Sequence, residues 1–373
     1  MEDLPTLKTY EHHLEKTADW LLRSIRKGRG GSCAHYTPLV GWSRPYPETT
    51  GYLIPTLLRL EGRVPGREFR KEAVGLGEWL LSIQMDSGAW QGGLYPARGE
   101  AKPSIFNTGQ ILAGMAALYD ATGEARWLEG AGRGADWLAA GVNQKGHWSR
   151  QDYRCAVTPS YYNHVAWPML EVWRQTQNGA LRGAAERVLR FVLWRRKKDG
   201  SFDGWAFSES LPAFTHTIAY TLRGLQESAR LLDNWETYGT PAIQALELLA
   251  RRAELASGAL AGAYAEGWEA VKGYSCLTGN AQIALCLLVW EEREKDLRIV
   301  NAAAKLVDFV CAKQKLGALS AGVRGAVAGS APLWGGYMRM RYPNWAAKYH
   351  CDALMMLMDR LRKEMETQLC ASS

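Results

Sequence analysis

Several apolar helical stretches in this chain open on polar groups able to do chemistry. Tyr161-Tyr162-Asn163-His164 opens one, with Trp167 following, and His216 opens another, with Tyr220 one turn on. Glu48, then Asn107 with Gln110, then Asn280 with Gln282 begin three more. Asn344 begins the last, which also carries Trp345, Lys348 and Asp352. Imidazoles, phenols, amides and aromatic faces together suit a sugar, which presents hydroxyls at its edges and C–H groups on its faces. Singly, each residue reads equally well as a helix cap or a satisfied core polar group. The set points to a site because such starts recur from helix to helix near one mouth.

Two mechanisms fit. The first is proton abstraction at C5 of a uronic acid, leading to elimination or epimerisation. It needs a base, an acid and a group that neutralises the carboxylate as the enolate forms. Tyr162 (or Tyr161) with His164 or His216 supply acid and base. Asn107, Asn280 and one of Arg154, Arg339 or Arg341 would hold the carboxylate, helped by helix N-termini. This reading places His164 and His216 on a common cavity. The second mechanism, glycoside hydrolysis, needs two carboxylates at a set separation. Glu48 and Asp352 are the pair, with Asp152 and Glu209 as loop alternatives. Acidic candidates are fewer than neutral ones, so hydrolysis ranks second, ahead of glycan binding without turnover.

Neither mechanism requires a cofactor or a metal. The string His350-Cys351-Asp352, with Cys276 or Cys33 as a further ligand, is the one tempting metal signal. Neighbouring residues on a helix point about 100° apart, so it reads as a helix polar residue beside a small apolar Cys.

The positioning elements come from an internal repeat. Trp79 to Gly88 and Trp90, Trp137 to Gly146 and Trp148, and Phe191 to Gly200 and Phe202 share one spacing: an aromatic nine residues before a Gly, and another two after it. Weaker copies start at Trp20, Leu249 and Phe309, so the anchors lie 54 to 60 residues apart. Six units fill residues 1–373 and predict a single domain. Each unit reads as a helix ended by Gly, a polar loop, and a second, more apolar helix. The second helices begin near Glu48, Asn107, Tyr162, Thr215, Thr278 and Asn344, and Thr-Gly-polar recurs at Thr50, Thr108 and Thr278. Pro168 falls inside the third. Lone hairpins cannot bury their apolar faces, but six in a ring can. The predicted fold is all-α: an (α/α)6 toroid of six helical hairpins, with the second helices inside and their N-termini at one mouth.

The segment Trp79 to Trp90 resembles the Gln-Trp repeat of squalene and terpene cyclases and of protein prenyltransferase β subunits. That resemblance implies the toroid; it does not supply a function. A protonating cyclase would need an Asp-x-Asp-Asp cluster, and the chain has none; Asp199-Gly200-Ser201-Phe202-Asp203 is the nearest string. Asp-rich magnesium motifs are also missing. The Thr-Gly starts, with Trp334-Gly335-Gly336-Tyr337 and Tyr342-Pro343-Asn344-Trp345, resemble toroid proteins of bacterial surface-polysaccharide synthesis.

Composition narrows the partners. A net charge of +7, without a basic tail, fits an anionic saccharide. There is no basic face with interleaved aromatics of the kind nucleic acid requires. The longest apolar run, near Ile283 to Trp290, is too short to span a bilayer, and Met1 to Tyr10 does not read as a signal peptide. Seven cysteines without paired spacing predict reduced thiols and a cytoplasmic setting. Sixteen Trp residues suit both core packing and a sugar cleft.

Overall fold

The computed structural model describes residues 7–148, 158–208 and 210–372. Six outer helices alternate with six inner ones. The outer set is α1 (Leu7–Gly28), α3 (Phe69–Ser82), α5 (Ala125–Gly141), α7 (Gly179–Trp194), α10 (Thr240–Leu255) and α12 (Leu297–Lys313). The inner set is α2 (Pro47–Leu60), α4 (Ile105–Thr122), α6 (Asn163–Thr176), α8 (Thr215–Leu231), α11 (Leu277–Glu294) and α13 (Asn344–Ser372), with a short α9 (Trp235–Tyr238) before α10. Each inner helix packs on the next, and α13 packs back on α2. The fold is an (α/α)6 toroid. The inner helices start within two residues of the positions read from the sequence.

Burial explains which helices went inside. From Leu277 to Glu291, every residue of α11 is buried, as a helix covered on all sides requires. Outer helices bury one face only; α12 buries Ile299, Val300, Ala303, Leu306, Val307 and Val310 among others. All six repeat anchors, Trp20, Trp79, Trp137, Phe191, Leu249 and Phe309, sit on outer helices.

The repeated Gly turns are the joints of the outer ring. Gly146 has φ +84° and Gly325 φ +81°, a left-handed backbone that disfavours other residues. A Cβ on Gly146 would collide with the Arg187 carbonyl of α7, and one on Gly325 with the Lys16 carbonyl of α1. Gly325 therefore closes the ring, seating the last turn on the first helix. Amides clamp two of these joints. Gln84 Nε2 donates to Gly88 O at 2.8 Å and Gly130 O at 2.9 Å. Gln314 Nε2 donates to Gly325 O at 2.9 Å and Thr17 Oγ1 at 2.7 Å.

The Thr-Gly helix starts have a structural reason too. Thr50 and Thr108 hydroxyls each accept a turn N–H, from Ser32 and Trp90, at 3.0 Å. Gly51, Gly109 and Gly279 face Ile111, Val165 and Thr215 of neighbouring inner helices so closely that a side chain would not fit. Short strands clip the mouth loops. β1 (His35–Thr37) pairs with β2 (Gly41–Trp42), β3 (Ala213–Phe214) with β4 (Ala263–Tyr264), and β5 (Ser275–Cys276) with β6 (Ser330–Ala331). β7 (Tyr342–Pro343) returns to β1, with His35 opposite Pro343 and Tyr36 opposite Tyr342. No helix among the described residues is long and apolar enough to cross a membrane.

Candidate active site

The space along the toroid axis is divided into two chambers. The upper one, about 580 Å³, opens at the mouth where the inner helices begin. Its walls include Glu48, Phe106, Asn107, Tyr161, Tyr162, His216, Tyr337 and Trp345, with Arg341 at the rim. The lower one, about 280 Å³, lies toward the helix C-termini and is lined by Arg59, Gln110, His164, Trp167, Arg223, Lys348 and Asp352. A floor of rings parts them. Tyr220 lies 4.3 Å from His216 above and 4.4 Å from His164 below, between ring centroids. Tyr349 packs against Tyr52 at 5.8 Å, tilted, and edge-on against Tyr220 at 6.2 Å.

His216 is held in one state. Its Nδ1 lies 2.6 Å from Gln282 Oε1. The same Gln282 amide hydrogen-bonds Tyr349 and favours its phenolate form, so the NH₂ end faces Tyr349. Gln282 Oε1 must then accept, Nδ1 carries the proton, and Nε2 keeps a lone pair. Burial pushes the imidazole down to about 4, only partly opposed by Gln282, so His216 is neutral near pH 7. The surrounding phenols are shifted the other way. Burial first, then the Glu48 charge among its neighbours, holds Tyr52 well above the ordinary phenol range. Burial does the same for Tyr220 and Tyr337. These phenols are proton donors at neutral pH. Tyr337 Oη accepts from Trp345 Nε1 at 2.9 Å, which leaves its own O–H free to donate elsewhere.

Glu48, in the first turn of α2, is the one carboxylate lining the upper chamber among the described residues. A carboxylate there is favoured by the helix dipole. Arg341 supplies cationic charge at the rim. His35 beside it is pushed down to about 4 by burial and then by the Arg341 charge.

The lower chamber is built around Asp352. Its carboxylate accepts from Lys348 at 2.8 Å, Arg59 at 2.6 Å and Thr56 Oγ1 at 2.8 Å. Burial opposes its charge, but Arg59 and Lys348 prevail and hold the group below the usual carboxylate range. Burial likewise pulls Lys348 below the ordinary lysine range, despite Asp352. His164 is driven well below the usual imidazole range by burial, then by the charges of Lys348 and Arg223.

The candidates chosen from sequence therefore separate. Glu48, Asn107, Tyr161, Tyr162, His216, Tyr220 and Trp345 line the upper chamber. Gln110, His164, Trp167, Lys348 and Asp352 line the lower one. The expected common cavity for His164 and His216 is corrected: a 3-10 turn, Ser160–Tyr162, precedes α6 and gives the mouth level to the two tyrosines, leaving His164 below. Glu48 and Asp352 do not face each other either. They are the second and ninth residues of neighbouring helices, about 10 Å apart along the axis alone, and Asp352 is already ion-paired. Asn163 and Asn280 spend their amides on the carbonyls of Thr221 and Gly258. Arg339 is exposed and lines neither chamber. Asp152, Arg154 and Glu209 lie outside the described residues. The string His350-Cys351-Asp352 diverges: Asp352 enters the lower chamber, Cys351 is fully buried, and His350 points to α12, with Nε2 3.8 Å from Cys311 Sγ.

Sequence reading missed His35, Tyr52, Phe106, Tyr337 and Tyr349. A usable signal existed for two. Tyr52 and Tyr349 stand four residues after Glu48 and Trp345, as Tyr220 does after His216, so each lies directly beneath a mouth residue on the same helix face.

No protein-family model matches the chain, and a search of curated proteins finds no match. Solved structures match along almost the whole length. An unsaturated glucuronyl hydrolase responsible for glycosaminoglycan degradation, from a Bacillus species, superposes with TM-score 0.71 at 16% identity, covering 93% of this chain and 96% of that one. Cellobiose 2-epimerase from Bacillus thermoamylovorans gives TM-score 0.74 at 13% identity, covering 95% and 99%. An α-amylase from Clostridium perfringens gives 0.66 at 10%, covering 92% and 97%. At such identities the likeness establishes the toroid. It gives no support to the cyclase part of the sequence resemblance.

Proposed function

We propose that this chain is a carbohydrate-active enzyme that moves a proton at the carbon beside a uronate carboxylate of an acidic saccharide, as a lyase or a 5-epimerase does. In this reading His216 Nε2 takes the C5 proton. The Tyr337 phenol delivers a proton, either to the departing glycosidic oxygen or to the opposite face of C5. Arg341 holds the carboxylate while negative charge builds on it. Tyr161, Tyr162, Phe106 and Trp345 form the ring surfaces for the sugar faces. The observation that carries the reading is the neutral His216, fixed in one tautomer by Gln282, beside phenols that stay protonated. A base and an acid matched this way are what proton transfer at carbon needs. Saccharides named among the structural neighbours support the substrate class by analogy of fold alone.

A second reading, glycoside hydrolysis, draws on Glu48, the upper chamber's one described carboxylate. A cytoplasmic setting in surface-polysaccharide metabolism belongs to the same proposal. It is supported by the free thiols of the buried Cys33, Cys276, Cys286, Cys311 and Cys351.

The test is incubation with a panel of uronate-containing polysaccharides in deuterated water. Rising ultraviolet absorbance of an unsaturated uronate marks a lyase, and deuterium at C5 without absorbance marks an epimerase. New reducing ends without either would transfer the assignment to Glu48, and no change in any substrate would sink the enzymatic reading.

A further inference from the structure

Outside both chambers, α1, α12 and α13 meet where the chain's first and last hairpins close the ring. His13, Cys311 and His350 converge there, one potential ligand atom from each lying within 4.8 Å of the others. All three are buried, at 8%, 8% and 0% exposure.

The state of His13 is fixed by its neighbour. Gln314 Nε2 donates to Thr17 Oγ1 at 2.7 Å and to Gly325 O at 2.9 Å. Thr17 Oγ1 gives its own proton to His13 O at 2.7 Å, so it accepts from Gln314. Gln314 Oε1 is thus an acceptor, and His13 Nδ1, 2.6 Å away, donates to it. The lone pair of His13 is on Nε2. A carbonyl oxygen holding the far N–H of an imidazole is the arrangement found behind metal-bound histidines. His350 is fully buried, its Nδ1 has no hydrogen-bond partner among the described residues, and its Nε2 lies 3.8 Å from Cys311 Sγ. In a tetrahedral zinc site with Zn–N of about 2.1 Å and Zn–S of about 2.3 Å, such ligand atoms stand about 3.6 Å apart.

We propose that His13, Cys311 and His350 form a binding site for a divalent transition metal of the zinc type, which ties the first outer helix to the last hairpin. The fourth position is left to water, with entry past the partly exposed edges of His13 and Cys311. The donor set of two imidazoles and a thiolate selects zinc or cobalt over calcium or magnesium. Binding converts the Cys311 thiol, which burial holds above the ordinary thiol range, into a thiolate. One proton leaves to solvent, so affinity rises with pH. Sequence inspection could not find the site, because its residues are 39 to 337 positions apart.

The test uses the full chain, stripped with chelator and titrated with cobalt(II), then zinc(II). The expected result is one equivalent of cobalt with a thiolate-to-cobalt charge-transfer band, displaced by zinc, and a higher Tm with either metal. Cys311→Ser loses the band and keeps the apo Tm; His13→Gln, the less buried alternative, weakens binding at least tenfold. Cys286→Ser, on α11, leaves the band unchanged. A wild-type chain with no such band overturns the proposal, as does a band that survives Cys311→Ser. A zinc-dependent Tm unaffected by His13→Gln also overturns it, by placing the metal elsewhere.

Discussion

Asp352→Asn separates the two chambers experimentally. The carboxylate is 3% exposed and pairs with Lys348 at 2.8 Å and Arg59 at 2.6 Å. At an effective dielectric near 20, one such pair is worth about 6 kcal/mol of gross attraction, most of it offset by desolvation. Removing one partner of a buried pair costs about 3–5 kcal/mol, because the other charge is left behind. The Arg59 side chain is 47% exposed and regains water, whereas that of Lys348 is 11% exposed and does not. The loss therefore falls at the lower end, about 3 kcal/mol. For 373 residues the unfolding entropy is roughly 0.8 kcal/mol per degree, so Tm falls by about 4 °C. Thermal unfolding by circular dichroism reads this directly. The double variant Lys348→Met/Asp352→Leu should recover most of the loss, since the buried ammonium is removed with its partner and the half-exposed Arg59 regains water. Turnover, once a substrate is found, should stay within a few-fold of wild type because the chemistry is assigned to the upper chamber. An Asp352→Asn protein with unchanged Tm and abolished turnover would refute this reasoning and make Asp352 a catalytic acid.

Other consequences are equally specific. His164, His216 and His350 are fully buried, with folded pKa values below the ordinary imidazole value; His216 is near 4 and His350 near 3. Below about pH 6.5 the unfolded chain binds more protons than the folded one, so stability is complete above that pH and drains away as pH falls toward about 4, by at most about 1.4 kcal/mol per pH unit per histidine. Urea midpoints that stay level between about pH 7 and 5 would contradict this. Gly325→Ala, with φ +81° and the Lys16 carbonyl in the way, should cost about 2 kcal/mol or more and loosen the ring seam. Hydrogen exchange at α1 and α12 checks it, and unchanged protection would show that the joint is not needed. Trp345→Phe removes the hydrogen bond to Tyr337 and should lower kcat more than it raises KM; a purely KM effect would assign Trp345 to sugar stacking alone.

The ring was legible because its joints are repeated in sequence. In three units an aromatic, a Gly nine residues on and a second aromatic mark a left-handed turn that favours Gly and seats one outer helix on the next. The Thr-Gly starts were legible for the same reason, as close approaches of inner helices. The mouth was half legible. Glu48, Asn107, His216 and Trp345 were found as helix-start residues and line the upper chamber. Depth along the axis was not readable from a list of helix starts, since the 3-10 turn before α6 lowers His164 and places it under the floor. Lys348 and Asp352 are further down α13, beyond the level the mouth occupies. His35 comes from the three-residue strand β1 and Tyr337 from a loop, and neither is long enough or regular enough for periodicity to report position. The convergence of His13, Cys311 and His350 depends on closure of the ring, which no local pattern encodes.

The central claim is that His216 moves the substrate proton. The most direct measurement is deuterium uptake at C5, or its loss with elimination, for one uronate oligosaccharide that the wild type turns over, compared with His216→Ala and His164→Ala. The account predicts a drop of roughly 10²-fold or more for His216→Ala with KM little changed, and near-normal exchange for His164→Ala. Equal exchange by His216→Ala and the wild type would contradict it.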